Sequence, residues 1–110
     1  MSEKTTTFGK IISEARKKKG MNLRECATLI LKEDGSPISF QYLNDIENNR
    51  RNPPSEHIIE QIASILAIPV EVLYYYAGIL PKTTIKDISP DLIVTAYRTF
   101  SEILSQKPQI

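Results

Sequence analysis

Apolar residues in this chain recur every three or four positions, the period of one face of an α-helix, and no segment sustains a two-residue alternation. Such a chain builds short helices that bury their stripes against one another, not a sheet. The breaks between stripes fall at good helix ends. Thr7 precedes a stripe of Phe8, Ile11, Ile12 and Ala15, and Gly20 follows it. Asn22 precedes Leu23, Cys26, Ala27, Ile30 and Leu31, which fall on one face of a second helix. A side-chain oxygen at each cap accepts from a free N–H of the first turn. Gly20 tolerates the left-handed conformation that closes a helix.

KEDGSP ends the second helix, since Asp34-Gly35 is a turn dipeptide and Pro37 cannot continue a helix. Ser39 caps a short third helix with Phe40, Leu43 and Ile46, and Asn48-Asn49 closes it, because Asn also accepts the left-handed position. After the rigid RRNPP, Ser55 caps a fourth helix carrying Ile58, Ile59, Ile62, Ala63, Ile65 and Leu66. Pro69 suits the first turn of a fifth, with Val70, Leu73, Tyr74 and Ala77, stopping near Gly78. Ser89-Pro90-Asp91 opens a last amphipathic helix with Ile93, Ala96, Tyr97, Phe100, Ile103 and Leu104. The expected fold is all-α: a five-helix bundle over residues 8–80 and one C-terminal amphipathic helix over 90–106. Residues 1–7 are expected to be a flexible N-terminus and 81–89 a linker.

Composition narrows the function. The 110 residues allow one small core and leave little room for an enzyme pocket. No nucleophile–base pair, paired carboxylate motif or phosphate loop is evident, so an enzyme is not expected. Cys26 is the only cysteine, which excludes an intramolecular disulfide and fits a reducing cytoplasm; on an apolar stripe it reads as a core residue. His57 is the only histidine, so neither a metal site nor a cofactor is expected. There is no apolar run of about 18 residues for a membrane span, and the polar N-terminal stretch lacks the apolar core of a signal peptide. A cytoplasmic protein is expected.

The net charge is +1, which excludes an overall basic coat. Its distribution is uneven: +3 from Phe8 to Pro54, and −3 from Ser55 to Leu80, where no Lys or Arg occurs. The asymmetry points to a polyanion partner for the first half; a solvated mixed-charge surface is the plainer reading of charge alone.

Two short helices joined by a turn inside a bundle of about five is the arrangement that lets one helix enter a DNA major groove. Here Phe8 to Pro81 resembles the phage-repressor-like (Xre, Cro/repressor) helix-turn-helix family. The most specific part is SFQYLNDIENNRRNPP followed by the Ile-rich helix and IPVEVL. The resemblance implies a DNA-binding domain in which Ser39 caps the recognition helix and Phe40 and Gln41 point into the groove. Gln pairs with adenine N6 and N7, and an apolar ring packs on a thymine methyl. Tyr42, Asn44 and Asp45 belong to the same region; Asp45 accepts only from a cytosine amino group and repels phosphate, so it filters more than it anchors. Asn48, Arg50, Arg51, Lys32 and Asn22 are placed at the sugar-phosphate backbone. Arg16 and Glu47 correspond to a structural ion pair between the first helix and the end of the third.

Three departures stand out. Leu23 occupies a position where the family often has a DNA-contacting Gln, Asn49 replaces a frequent Gly, and the connection through LKEDGSP is about six residues longer than usual. Tyr75, Tyr76, Ile93, Tyr97, Phe100 and Leu104 form the candidate dimer surface. The resulting expectation is a homodimeric, sequence-specific regulator of transcription, a repressor, bound to double-stranded DNA at a near-palindromic operator. The competing expectation is an antitoxin-like protein whose last helix covers a protein partner while its DNA binding is autoregulatory.

Overall fold

A computed structural model of the chain describes residues 6–81 and 87–106, which carry six helices and no strand. The chain divides into two compact units, Met1–Leu80 and Pro81–Ile110. The first holds α1 (Phe8–Lys18), α2 (Leu23–Leu29), α3 (Phe40–Glu47), α4 (Glu56–Leu66) and α5 (Val70–Ala77). The second holds α6 (Pro90–Leu104).

Local chemistry sets the helix starts. Thr7, Asn22, Ser39, Ser55 and Ser89 are all N-caps in extended conformation, each accepting from the backbone N–H three residues on. At Asn22 the Glu25 carboxylate also accepts from the Asn22 N–H, which completes a capping box. Pro69 sits one position earlier than expected: it is the N-cap of α5, not a member of its first turn, and offers no side-chain cap.

α1 packs on α3, α4 and α5, α2 packs on α3, and α4 packs on α5. Their stripes meet in one core that includes Ile12, Cys26, Ile30, Leu43, Ile46, Ile59, Ile62 and Leu73. Burial pushes the Cys26 thiol pKa up, so it stays a neutral core filler. Tyr74 packs at the core margin and donates to Glu60 Oε2 at 2.7 Å, tying α5 to α4. That hydrogen bond pushes the phenol up to about 12. The tie is therefore complete below the ordinary tyrosine pKa and is lost as pH rises through about 12.

α2 ends at Leu29, so Ile30 and Leu31 do not extend its stripe. Ile30 turns extended and stays buried, whereas Leu31 is 38% exposed and pairs with Pro37 in an antiparallel bridge. The long connection is a small hairpin: Ile38 N–H donates to Ile30 O, Lys32 N–H to Ser36 O, and Gly35 N–H to Lys32 O. Gly35 takes φ +88°, the left-handed residue that a three-residue hairpin loop requires. The Asp34 carboxylate accepts from the Ser36 N–H and hydroxyl, which lowers its pKa. His57 Nε2 lies 3.0 Å from Leu31 O, and Gln61 Oε1 accepts from Leu31 N–H at 3.3 Å, so α4 pins the hairpin base.

Thr7, expected to be part of a flexible N-terminus, is held by side-chain hydrogen bonds. Its hydroxyl oxygen accepts from Lys10 N–H and from Asn49 Nδ2, so it is fixed to the end of α3. Residues 1–5 and 82–86, most of that stretch and most of the expected linker, lie outside the described residues.

α4 is closed by its C-cap Ala67, which takes φ 57° and ψ 44° although it carries a Cβ and is exposed. The left-handed region costs an L-residue about 1–2 kcal/mol, against a smaller entropy cost for Gly in the unfolded chain. Ala67→Gly is expected to stabilise the protein by about 0.5 kcal/mol, read as a raised urea midpoint with unchanged slope.

α6 stands as its own unit. Ser89 caps it, Pro90 opens it, and the Ser105 hydroxyl donates to Ser101 O at its end, two residues short of the expected boundary. No residue of α6 is buried; Leu92, Ile93, Val94, Tyr97, Ile103 and Leu104 are all exposed.

Candidate nucleic-acid interface

The candidate interface comprises the N-terminal ends of α2 and α3 and the segment that follows α3. Ser39 Oγ accepts from Tyr42 N–H at 3.0 Å, which starts α3 with Phe40 as its first residue and Gln41 as its second, both exposed. Leu43 and Ile46 turn inward and are fully or almost fully buried, so the opposite edge of α3 is presented outward.

The orientation of α3 is set by two buried connections to α1. Arg16 and Glu47 meet fork to fork, Nε to Oε2 at 2.7 Å and Nη2 to Oε1 at 2.9 Å, with side chains only 9% and 5% exposed. The third guanidinium nitrogen, Nη1, donates to Met21 O at 2.8 Å and so fixes the turn before α2 as well. The hydrogen bonds that Arg16 donates to Glu47 raise the Arg16 pKa above its ordinary value. Asn49 makes the second connection. It takes φ 57°, and its Oδ1 accepts from the otherwise free Gly9 N–H at 3.1 Å. Where the family often has Gly, this chain thus gains a side chain that joins the end of α3 to the start of α1.

Asp45 is the hub of the outward edge. Its Oδ1 accepts from Gln41 Nε2 and lies 3.2 Å from Arg50 Nη1, while its Oδ2 lies 3.7 Å from Arg51 Nε. Arg51 also lies over the Tyr42 ring, 4.9 Å from its centroid. Lys32 of the hairpin lines the same groove as Gln41, Tyr42, Asp45 and Arg51. Asn48 Nδ2 turns back onto Asn44, donating to its backbone O and to Oδ1. Asn22 is exposed, with its Oδ1 engaged by the α2 cap. Gln41, Tyr42, Asp45, Arg50 and Arg51 are therefore in direct contact, Lys32 borders them, and Asn44 and Asn48 form a separate pair.

One residue of this surface has no role in the sequence analysis beyond its charge. Arg24, on the first turn of α2, places its guanidinium carbon 4.3 Å from the Phe40 ring centroid. The available signal was its place two residues after a strong N-cap, on the polar side of the α2 stripe. The departure at Leu23 also has a structural counterpart: the side chain is half-buried against the core.

The described residues hold no group of three or more His, Cys, Asp or Glu arranged to bind a metal ion. None of their helices is long and apolar enough to cross a membrane.

This architecture, with α3 braced from behind and its N-terminal edge outward, is that of a helix-turn-helix domain. The helix-turn-helix family model matches residues 12–73, and the chain belongs to that family, of the Xre type its motifs resemble. It is 33% identical over 70 residues to the transcriptional regulator ClgR of Mycobacterium tuberculosis (strain CDC 1551 / Oshkosh), and equally to that of strain ATCC 25618 / H37Rv. The matched stretch is 64% of this chain and 56% of each relative, so the chain spans about half the length of the curated relatives it matches.

Proposed function

We propose that this protein is a sequence-specific, double-stranded-DNA-binding regulator of transcription, a dimeric repressor that reads a near-palindromic operator through α3. The observation that carries this reading is the exposed Phe40–Gln41 end of a rigidly braced α3, with Arg50 and Arg51 on the same side. The named relatives are transcriptional regulators, which agrees with it. Phe40 packs on a thymine methyl and Gln41 pairs with adenine. Asn22, Lys32, Asn48, Arg50 and Arg51 hold the backbone, and the exposed face of α6 with Tyr76 supplies the dimer contact.

In the free protein Asp45 occupies the arginines that phosphates would take. DNA binding is thus an exchange of one partly buried carboxylate for phosphate oxygens. Each phosphate contact adds roughly 0.9 to the slope of log affinity against log salt. Arg50→Ala is expected to lower that slope by about 0.9 and to weaken all duplexes alike. Asp45→Asn is expected to raise affinity for unrelated duplexes, since it frees both arginines. Fluorescence anisotropy with labelled duplexes at several salt concentrations measures both. An unchanged slope in Arg50→Ala, together with altered base preference, would remove Arg50 from the backbone contacts.

The second reading, a protein partner covering α6 with autoregulatory DNA binding, draws on the same exposed residues, Leu92, Ile93, Val94, Tyr97, Ile103 and Leu104. A chain purified alone that is monomeric at micromolar concentration, and that associates tightly only with a second polypeptide, would favour it over the homodimer.

A further inference from the structure

We infer that Arg24 is a specificity-determining residue that reads guanine, with Phe40 as the platform that aims it. This rests on the reading of α3 as the groove-facing helix. Arg24 lies on the first turn of α2, is exposed, and sits over the face of the ring at the first position of α3, itself 36% exposed.

Charge sets Arg24 apart from the other arginines of the bundle. Arg16 is spent on Glu47, and Arg50 and Arg51 share Asp45. Arg24 has no carboxylate partner among the described residues. Its neighbour Glu25 is turned back to the Asn22 N–H by the capping box. A full positive charge is therefore held at the tip of the helix pair, and only an aromatic face restrains it. An exposed stack of this kind contributes too little to matter to the fold, so its consequence lies in where it holds the guanidinium.

The chemistry favours a base edge over a phosphate. A phosphate needs only a nearby charge, which Lys provides as well. A restrained, planar fork of donors matches two acceptors side by side, and guanine O6 and N7 form that pair in the major groove. Leu23 is half-buried against the core, and its neighbour Arg24 is the exposed basic side chain on this turn. Phe40 against a thymine methyl and Arg24 stacked on the same ring would read two neighbouring pairs, a T·A beside a G·C.

The test uses the full chain and the duplex it selects from a random pool, with every position of a half-site then varied singly. Arg24→Ala is expected to lose discrimination at one G·C position per half-site by roughly tenfold or more, leaving the other positions intact. Arg24→Lys is expected to keep the salt slope and the affinity for unrelated duplexes while losing the same discrimination. Phe40→Leu is expected to relax that position and its neighbour together. Both sites are exposed, and unchanged melting curves confirm that the fold is retained. The inference is overturned if Arg24→Ala weakens every duplex equally with a slope lower by about 0.9, the mark of a phosphate contact, or if it changes nothing. If Gln41→Ala alters the selected site and Arg24→Ala does not, only this inference falls. If the unmodified chain selects no sequence, the groove-reading role of α3 falls first.

Discussion

Glu47→Ala is expected to destabilise the protein by about 3–5 kcal/mol, the cost of leaving a buried guanidinium without its carboxylate. Arg16 donates two nitrogens to Glu47, and its third reaches only Met21 O, so no other acid takes over. Domains of this size are stable by about 5–15 kcal/mol in all, so the variant stands near the edge of folding. A midpoint lowered by about 12 °C or more follows for a bundle of this length, read by far-ultraviolet circular dichroism. DNA affinity falls with the folded fraction, since the pair also sets the angle of α3. The double variant Arg16→Met with Glu47→Leu is expected to recover most of the loss, because two apolar groups of similar volume remove the desolvation cost of both charges. A loss below about 1 kcal/mol in Glu47→Ala would mean that the pair behaves like a surface ion pair.

Gly9→Ala is the second large effect. Gly9 lies in the first turn of α1, where the chain passes directly over the end of α3. A Cβ there would collide with the carbonyl oxygens of Ile46 and Glu47, which are backbone atoms held by the helix and cannot swing aside. Overpacking of well-filled sites costs about 1–3 kcal/mol, and a clash with fixed backbone belongs at the upper end, about 3 kcal/mol. Relief requires α1 to lift from α3, which also breaks the Gly9 N–H bond to Asn49 and shifts the Arg16–Glu47 fork. Urea unfolding followed by circular dichroism measures the loss. A stability equal to that of the unmodified protein would show that the two helices do not approach this closely in solution.

What could be read from the residues alone divides along the range of the interactions. Helix starts depend on contacts three residues apart, and Thr7, Asn22, Ser39, Ser55 and Ser89 all carry the side-chain oxygen that makes them. The left-handed Asn49 was legible for the same reason, since its tolerance of positive φ is local. Ile30 and Leu31 were not. Their apolar character fits a helical stripe equally well, and only the bridge to Pro37 and the anchors from His57 and Gln61 turn the chain extended. Ala67 has no residue-level signal for its left-handed conformation at all.

The interface shows the same division. The order of Ser39, Phe40 and Gln41 at the start of α3 is a local pattern. That Asp45 gathers Gln41, Arg50 and Arg51 depends on how the chain bends after α3. The stack of Arg24 on Phe40 joins residues on two helices separated by an unusually long connection, and no periodicity encodes it. The closeness of Gly9 to α3 is likewise a property of packing, invisible until both helices are placed.

Selection of bound duplexes from a random DNA pool by the purified chain, with Gln41→Ala selected in parallel, tests the central claim most directly. The unmodified protein is expected to enrich an inverted repeat whose half-sites are centred about one helical turn apart, ~34 Å. Gln41→Ala is expected to relax one A·T position in each half-site and leave the spacing unchanged. Enrichment of no sequence by either protein, with only weak binding that disappears as salt is raised, would contradict it.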